Sequence, residues 1–170
     1  MTSLQDGRPS SPPVLKRISR FRALPLESKL LFARAWLMLG WYRAAIGLAS
    51  FKRLSANLQH SPAPLLPVTP TRSQCEQAAI TGRLVARAAA VTPWNSSCLV
   101  QVLVVQRLLA ASGIPGQFHL GASHHRGVSG CDGELSAHAW LQCGDCIVNG
   151  EEGHELFEVL STYSWGGRID

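Results

Sequence analysis

Two side chains in this sequence have the types and surroundings to break an amide bond, Cys98 and His138. A thiol attacks a carbonyl only as thiolate, and a helix N-terminus is one of the few places that favours the anion without a metal. Pro93 ends the preceding segment, and Ser96 or Ser97 can cap a helix through Leu99, Val102, Leu103, Gln106 and Leu109, so Cys98 falls in its first turn. The opposing reading is a core cysteine, since free cysteine is among the most buried residue types. His138 lies in Ala137-His138-Ala139-Trp140-Leu141, where strand alternation puts His138 and Trp140 on one face. Such a strand packed against the start of the Cys98 helix brings base and nucleophile together.

A third group is needed to hold the imidazole in the right tautomer, and it is expected on the next strand or just past it. Asn149 would serve as a neutral orienter and Glu151 as a charged one, while both also suit a turn before a final helix. Trp94, Asn95 and Trp140, beside the two reactive residues, are the candidates for substrate contact. Cys143-Gly144-Asp145-Cys146 has the spacing of half a zinc knuckle or a redox pair, yet no second pair matches it and a structural zinc needs four ligands. A turn with incidental thiols is the expectation there, with no metal and no cofactor. His124, His125 and Arg126 read as an exposed hairpin loop.

These residues must be positioned by the elements around them. Residues 1–22 mix Ser, Pro, Gly and basic residues with no apolar period and read as a tail. Residues 23–60 form a helical extension: Leu30, Ala33, Leu37, Trp41, Ala44, Leu48 and Phe51 recur three and four apart, in a helix from Glu27 with a break expected near Gly40 or Gly47. Residues 61–72 contain Pro62, Pro64, Pro67 and Pro70 and read as an extended linker. The compact domain occupies 73–170. Ser73 and Glu76 have capping-box spacing for a helix to about Ala90, and strand-like runs follow at 117–123, 136–142 and 146–148. Helices followed by short strands make an α+β domain.

The 170 residues suit one core. Residues 1–72 carry eleven Lys/Arg against Asp6 and Glu27, a net +9, whereas 73–170 carry five against nine acids, a net −4. A basic arm suits an acidic partner surface or a membrane face; no nucleic acid is expected as a partner. Five cysteines and a polar, Pro-rich N-terminus without a signal-peptide plan point to the cytoplasm. Residues 30–51 are the one apolar stretch of membrane-spanning length, but Arg34 and Arg43 would each cost about 2.5 to 3.5 kcal/mol at a bilayer centre. Membrane contact fits this composition and spanning does not.

The order Pro93-Trp94-Asn95-Ser96-Ser97-Cys98-Leu99, then Leu108-Leu109, Gly113-Ile114-Pro115, Phe118-His119-Leu120-Gly121 and His138-Ala139-Trp140-Leu141, resembles the leader peptidase of lasso-peptide biosynthesis over about residues 73–160. The apolar N-terminal helices, with Leu24-Pro25-Leu26 ahead of them, also look like the opening of that family. The resemblance implies a transglutaminase-like (papain-like) core of N-terminal helices and a small antiparallel sheet. It implies a Cys-His-Asp triad, with Cys98 and His138 on its first two positions, and cleavage of a precursor between leader and core. It also implies partners: the precursor peptide, a separate leader-recognition protein, because residues 1–72 offer no strand-rich segment for a fused one, and an ATP-using, asparagine-synthetase-like cyclase. Where the family's Asp would fall, twelve positions after the histidine, this chain has Gly150. A broader thiol hydrolase or acyl-transferase, and a catalytically silent leader-binding adaptor, are the alternatives.

Overall fold

The computed structural model describes residues 25–48, 59–61, 69–124 and 135–166. The basic tail, most of the Pro-rich linker, Cys131, His125 and Arg126 lie outside these residues, while His124, expected in the hairpin loop, ends a strand and pairs with Leu135.

The first helix, α1 (Leu26–Leu48), opens with the Pro25 carbonyl accepting from the Lys29 amide at 3.1 Å. It runs unbroken through Gly40, against the expected break, and the Trp94 ring packs on this glycine, 3.1 Å from where a Cβ would sit. Ala35 and Leu39 of α1 are wholly buried, so this helix is part of the core and packs on the two helices that follow.

Helix α2 (Arg72–Ala89) starts two residues earlier than the Ser73 box implies. Thr71 and Gln74 form the box instead: the Gln74 amide donates to the Thr71 hydroxyl at 3.3 Å, and the Thr71 amide to the Gln74 side chain at 2.9 Å. Helix α3 (Cys98–Ala111) is apolar almost all round and buried from Val100 to Leu109, apart from half-buried Gln101 and exposed Arg107, as befits a central helix.

The sheet is fully antiparallel, in the order β1-β5-β2-β3-β4. Its strands are β1 (Gln59–Ser61), β2 (Gly116–His124), β3 (Leu135–Cys143), β4 (Cys146–Asn149) and β5 (Glu158–Trp165). Strands β2, β3 and β4 match the expected runs to within one residue at each end. The first and last strands in the chain correct the sequence reading: β1 lies inside the stretch taken as a helical extension and its linker, and β5 stands where a final helix was expected.

Registered pairs share a face. Phe118, Leu141 and Tyr163 meet in register on the side that joins the core cluster, with the Phe118 and Tyr163 rings stacked at 4.9 Å. His119, Trp140 and Thr162 meet on the opposite face. Helix α2 comes so close to β4 that a Cβ on Gly82 would sit 2.8 Å from Val148 Cγ1 and 3.0 Å from its carbonyl carbon. Only glycine allows that approach.

Candidate active site

Cys98 is the first residue of α3 and half-buried. The loop before it is braced by the Thr92 hydroxyl, which lies 2.8 Å from the Ala89 carbonyl, 2.9 Å from the Trp94 carbonyl and 3.0 Å from the Ser96 hydroxyl. Ser97 occupies the N-cap position but its side chain makes no capping bond. The first-turn amides therefore remain available to another acceptor.

His138 sits on β3, across from Gly121 and on the same face as Trp140. The two rings stack at 6.0 Å and 20°, and Phe157 closes the other side at 5.0 Å. His138 Nε2 lies 2.9 Å from the Gly150 carbonyl. A carbonyl only accepts, so Nε2 carries the proton and the lone pair of the neutral ring is on Nδ1. Gly150 adopts φ +75, and a Cβ there would come within 2.9 Å of Trp140 Cα. That is a conformation and a space that only glycine fills without strain.

Cys98 and His138 line one cleft of about 340 Å³, together with Ala86 of α2, Gln101 of α3 and residues 149–152. The sequence reading missed Gln101, which stands one turn after Cys98 on the same helix face. Its Nε2 donates to the Ser96 carbonyl at 2.9 Å, and its Oε1 accepts from Asn149 Nδ2 at 3.5 Å. Gln101 thus ties the loop ahead of the cysteine to the strand end beside Gly150. Asn149 is buried with its amide turned to Gln101, and Glu151 is exposed at the rim, so the group on the imidazole is the backbone of the residue between them.

Of the candidates for substrate contact, none is among the cleft-lining residues. Trp94 packs 5.0 Å from Trp36 of α1, and Asn95 is exposed. Trp140 is buried between His119, at 5.3 Å, and His154, at 5.8 Å. His119 is a different kind of histidine from His138. It is buried with Nδ1 2.9 Å from the Thr162 hydroxyl, and burial holds it below the ordinary histidine range against an opposing hydrogen bond with Gln142.

Cys143 and Cys146 flank the tight turn between β3 and β4. Cys143 is buried, its thiol donating to the Pro115 carbonyl at 3.2 Å. Burial first, and the neighbouring Cys75 thiol second, push it up to about 12. Among the described residues no group of three or more His, Cys, Asp or Glu is arranged to hold a metal ion.

The profile of the transglutaminase-like superfamily matches residues 35–162, well over half of the chain. The chain belongs to that superfamily. Its α+β architecture, helices packed on an antiparallel sheet, is the transglutaminase-like one. The match begins at Ala35, the first fully buried residue of α1, so a transglutaminase-like core here includes most of that helix. The superfamily includes cysteine peptidases and acyl-transferases, which supports a cysteine-protease type of hydrolase for this transglutaminase-like chain. No curated protein and no solved structure matches it significantly.

Proposed function

We propose that this chain is a cysteine peptidase that removes the leader from a ribosomally made lasso-peptide precursor. The observation that carries the reading is that Cys98, at the start of α3, and His138, on β3, line one cleft, with the imidazole's Nε2–H held by the Gly150 carbonyl. The lasso-precursor substrate is supported by the order of motifs from Pro93 to Leu141.

In this reading Nδ1 of His138 takes the Cys98 proton as the sulfur attacks the scissile carbonyl. The oxyanion of the tetrahedral intermediate turns toward the first-turn amides of α3 that Ser97 leaves uncapped. The imidazolium returns its proton to the leaving amine of the core peptide, and water then hydrolyses the leader thioester. Gly150 replaces the family's carboxylate with a neutral carbonyl dipole. It can fix the tautomer, but it stabilises the imidazolium less than an anion would. A separate leader-recognition protein delivers the precursor, the basic segment 1–72 helping the encounter. The freed amine passes to an ATP-dependent, asparagine-synthetase-like cyclase.

The test is to incubate precursor, recognition protein and this chain, and to follow leader release by mass spectrometry. Cys98→Ala and His138→Ala should each abolish release. A Cys98→Ala protein that still supports normal release would assign an adaptor role instead. Cleavage of unrelated amides at a similar rate would assign a general thiol hydrolase.

A further inference from the structure

The Gly150 carbonyl fixes the proton of His138 on Nε2, yet glycine is the residue least able to hold a carbonyl in one direction. Its positive φ is only one of the many conformations open to it, so the peptide plane between Gly150 and Glu151 has to be fixed from outside. The fixing group comes from the short helical turn His154–Leu156. His154 Nδ1 lies 2.7 Å from the Glu151 carbonyl, and the His154 amide donates to the same oxygen at 3.3 Å. A carbonyl only accepts, so this Nδ1 carries a proton, which also faces the Glu155 carboxylate at 3.1 Å. With its carbonyl clamped by two donors Glu151 is not free to turn, and the peptide plane before it, which bears the Gly150 oxygen, is held as well.

His154 reaches His138 by two further routes. Its carbonyl accepts from the Phe157 amide at 3.1 Å, and the Phe157 ring lies 5.0 Å from the His138 ring. Its own ring lies 5.8 Å from Trp140, the other aromatic partner of His138. The acceptor and both rings around His138 are thus tied to one residue that does not itself line the cleft. A turn made only to join β4 to β5 is closed by its backbone bonds and has no use for the ring donor.

We propose that His154 is a positioning residue for His138: its Nδ1–H clamps the Glu151 carbonyl and so keeps the Gly150 carbonyl aimed at His138 Nε2. The role rests on the reading of His138 as the base for Cys98. Three variants of the full chain test it. His154→Ala removes ring and donor, His154→Phe keeps a ring beside Trp140 without the donor, and His154→Asn puts an amide nitrogen where Nδ1 stands. In leader release, the Ala and Phe variants should lose about tenfold in kcat with KM and melting temperature little changed, and the Asn variant should recover most of the loss. In spectra of protein labelled with 15N-histidine, taken above neutral pH, the His138 signal is the one missing from His138→Ala. It should show the Nε2–H tautomer alone in the wild type and His154→Asn, and a mixture of both tautomers in His154→Ala and His154→Phe. The Phe variant carries the comparison if thermal melting shows the Ala variant to be misfolded. A single Nε2–H tautomer in folded His154→Phe, or an Asn variant no better than the Phe variant, would overturn the proposal. The expected tautomer shift in a protein whose wild type releases no leader would uphold the positioning role and remove the peptidase reading, so the two failures are told apart.

Discussion

Two thiols about half the domain apart in sequence, Cys98 and Cys143, show what separates a reactive cysteine from a packing one. Cys143 is sealed in the core, donates a hydrogen bond to a backbone carbonyl, and is held neutral up to about 12. Cys98 begins a helix whose cap is unfilled, on the wall of an open cleft shared with an imidazole that already has its proton fixed on the far nitrogen. The side chain is the same in both. Access, a neighbouring proton acceptor and the local field make the difference, and none of them is a property of the residue type.

That contrast can be broken most directly by deletion. Cys98→Ala or His138→Ala should lower leader cleavage by roughly a thousandfold or more. Cys143→Ala should leave cleavage standing while lowering stability by about 1 to 3 kcal/mol in urea melts. Equal loss of cleavage in all three would erase the distinction. Next in size is Gly150→Ala. The positive φ and the approach of Trp140 predict a loss of about 1 to 3 kcal/mol of stability, and displacement of the carbonyl should slow cleavage by roughly ten- to a hundredfold. Gln101→Leu tests the tie between the cysteine loop and Asn149. Turnover should fall about tenfold with KM and melting temperature little changed, whereas a purely structural role would move the melt instead.

Reactivity sharpens the comparison without any substrate. In iodoacetamide labelling followed by peptide mapping, Cys98 should react at least about tenfold faster than Cys143 near neutral pH, and faster than Cys75. The last contrast, small over any one pH unit, is in alkaline stability. Because Cys143 ionises less readily folded than unfolded, the unfolded chain loses that proton first. The contribution is complete below about 9 and is lost as pH rises toward about 12, at most about 1.4 kcal/mol per pH unit. Urea melts on either side of that lower limit should show the decline, and Cys143→Ala should flatten it.

Features set by local rules were legible in advance. The Pro93 break places Cys98 at a helix start, alternation puts His138 beside Trp140, and the strand runs after Pro115 are found to within a residue. What escaped depends on partners distant in the chain. Three residues from Gln59 to Ser61 make a strand only because β5 pairs with them, and β5 in turn rests on β2. Two overlapping capping boxes, Thr71 to Gln74 and Ser73 to Glu76, satisfy the same spacing rule, and the folded chain uses the first. Gly150 stood out as a missing carboxylate, but the acceptor it supplies is a main-chain oxygen, which every residue has and no side-chain pattern reveals. Gln101 lies only three residues from Cys98, yet the partners that give it a role, the Ser96 carbonyl and Asn149, are set by the fold and leave no spacing pattern in the sequence.

Gly82 gives the cleft its gauge. It lies one helical turn before Ala86, which walls the cleft, and its bare Cα rests on Val148, next in line to the strand end that carries Asn149 and Gly150. A single hydrogen atom is therefore the spacer between the two walls. One methyl group at this position would pry α2 off the sheet like a wedge in a hinge, widening the chamber from behind without touching any atom that reacts.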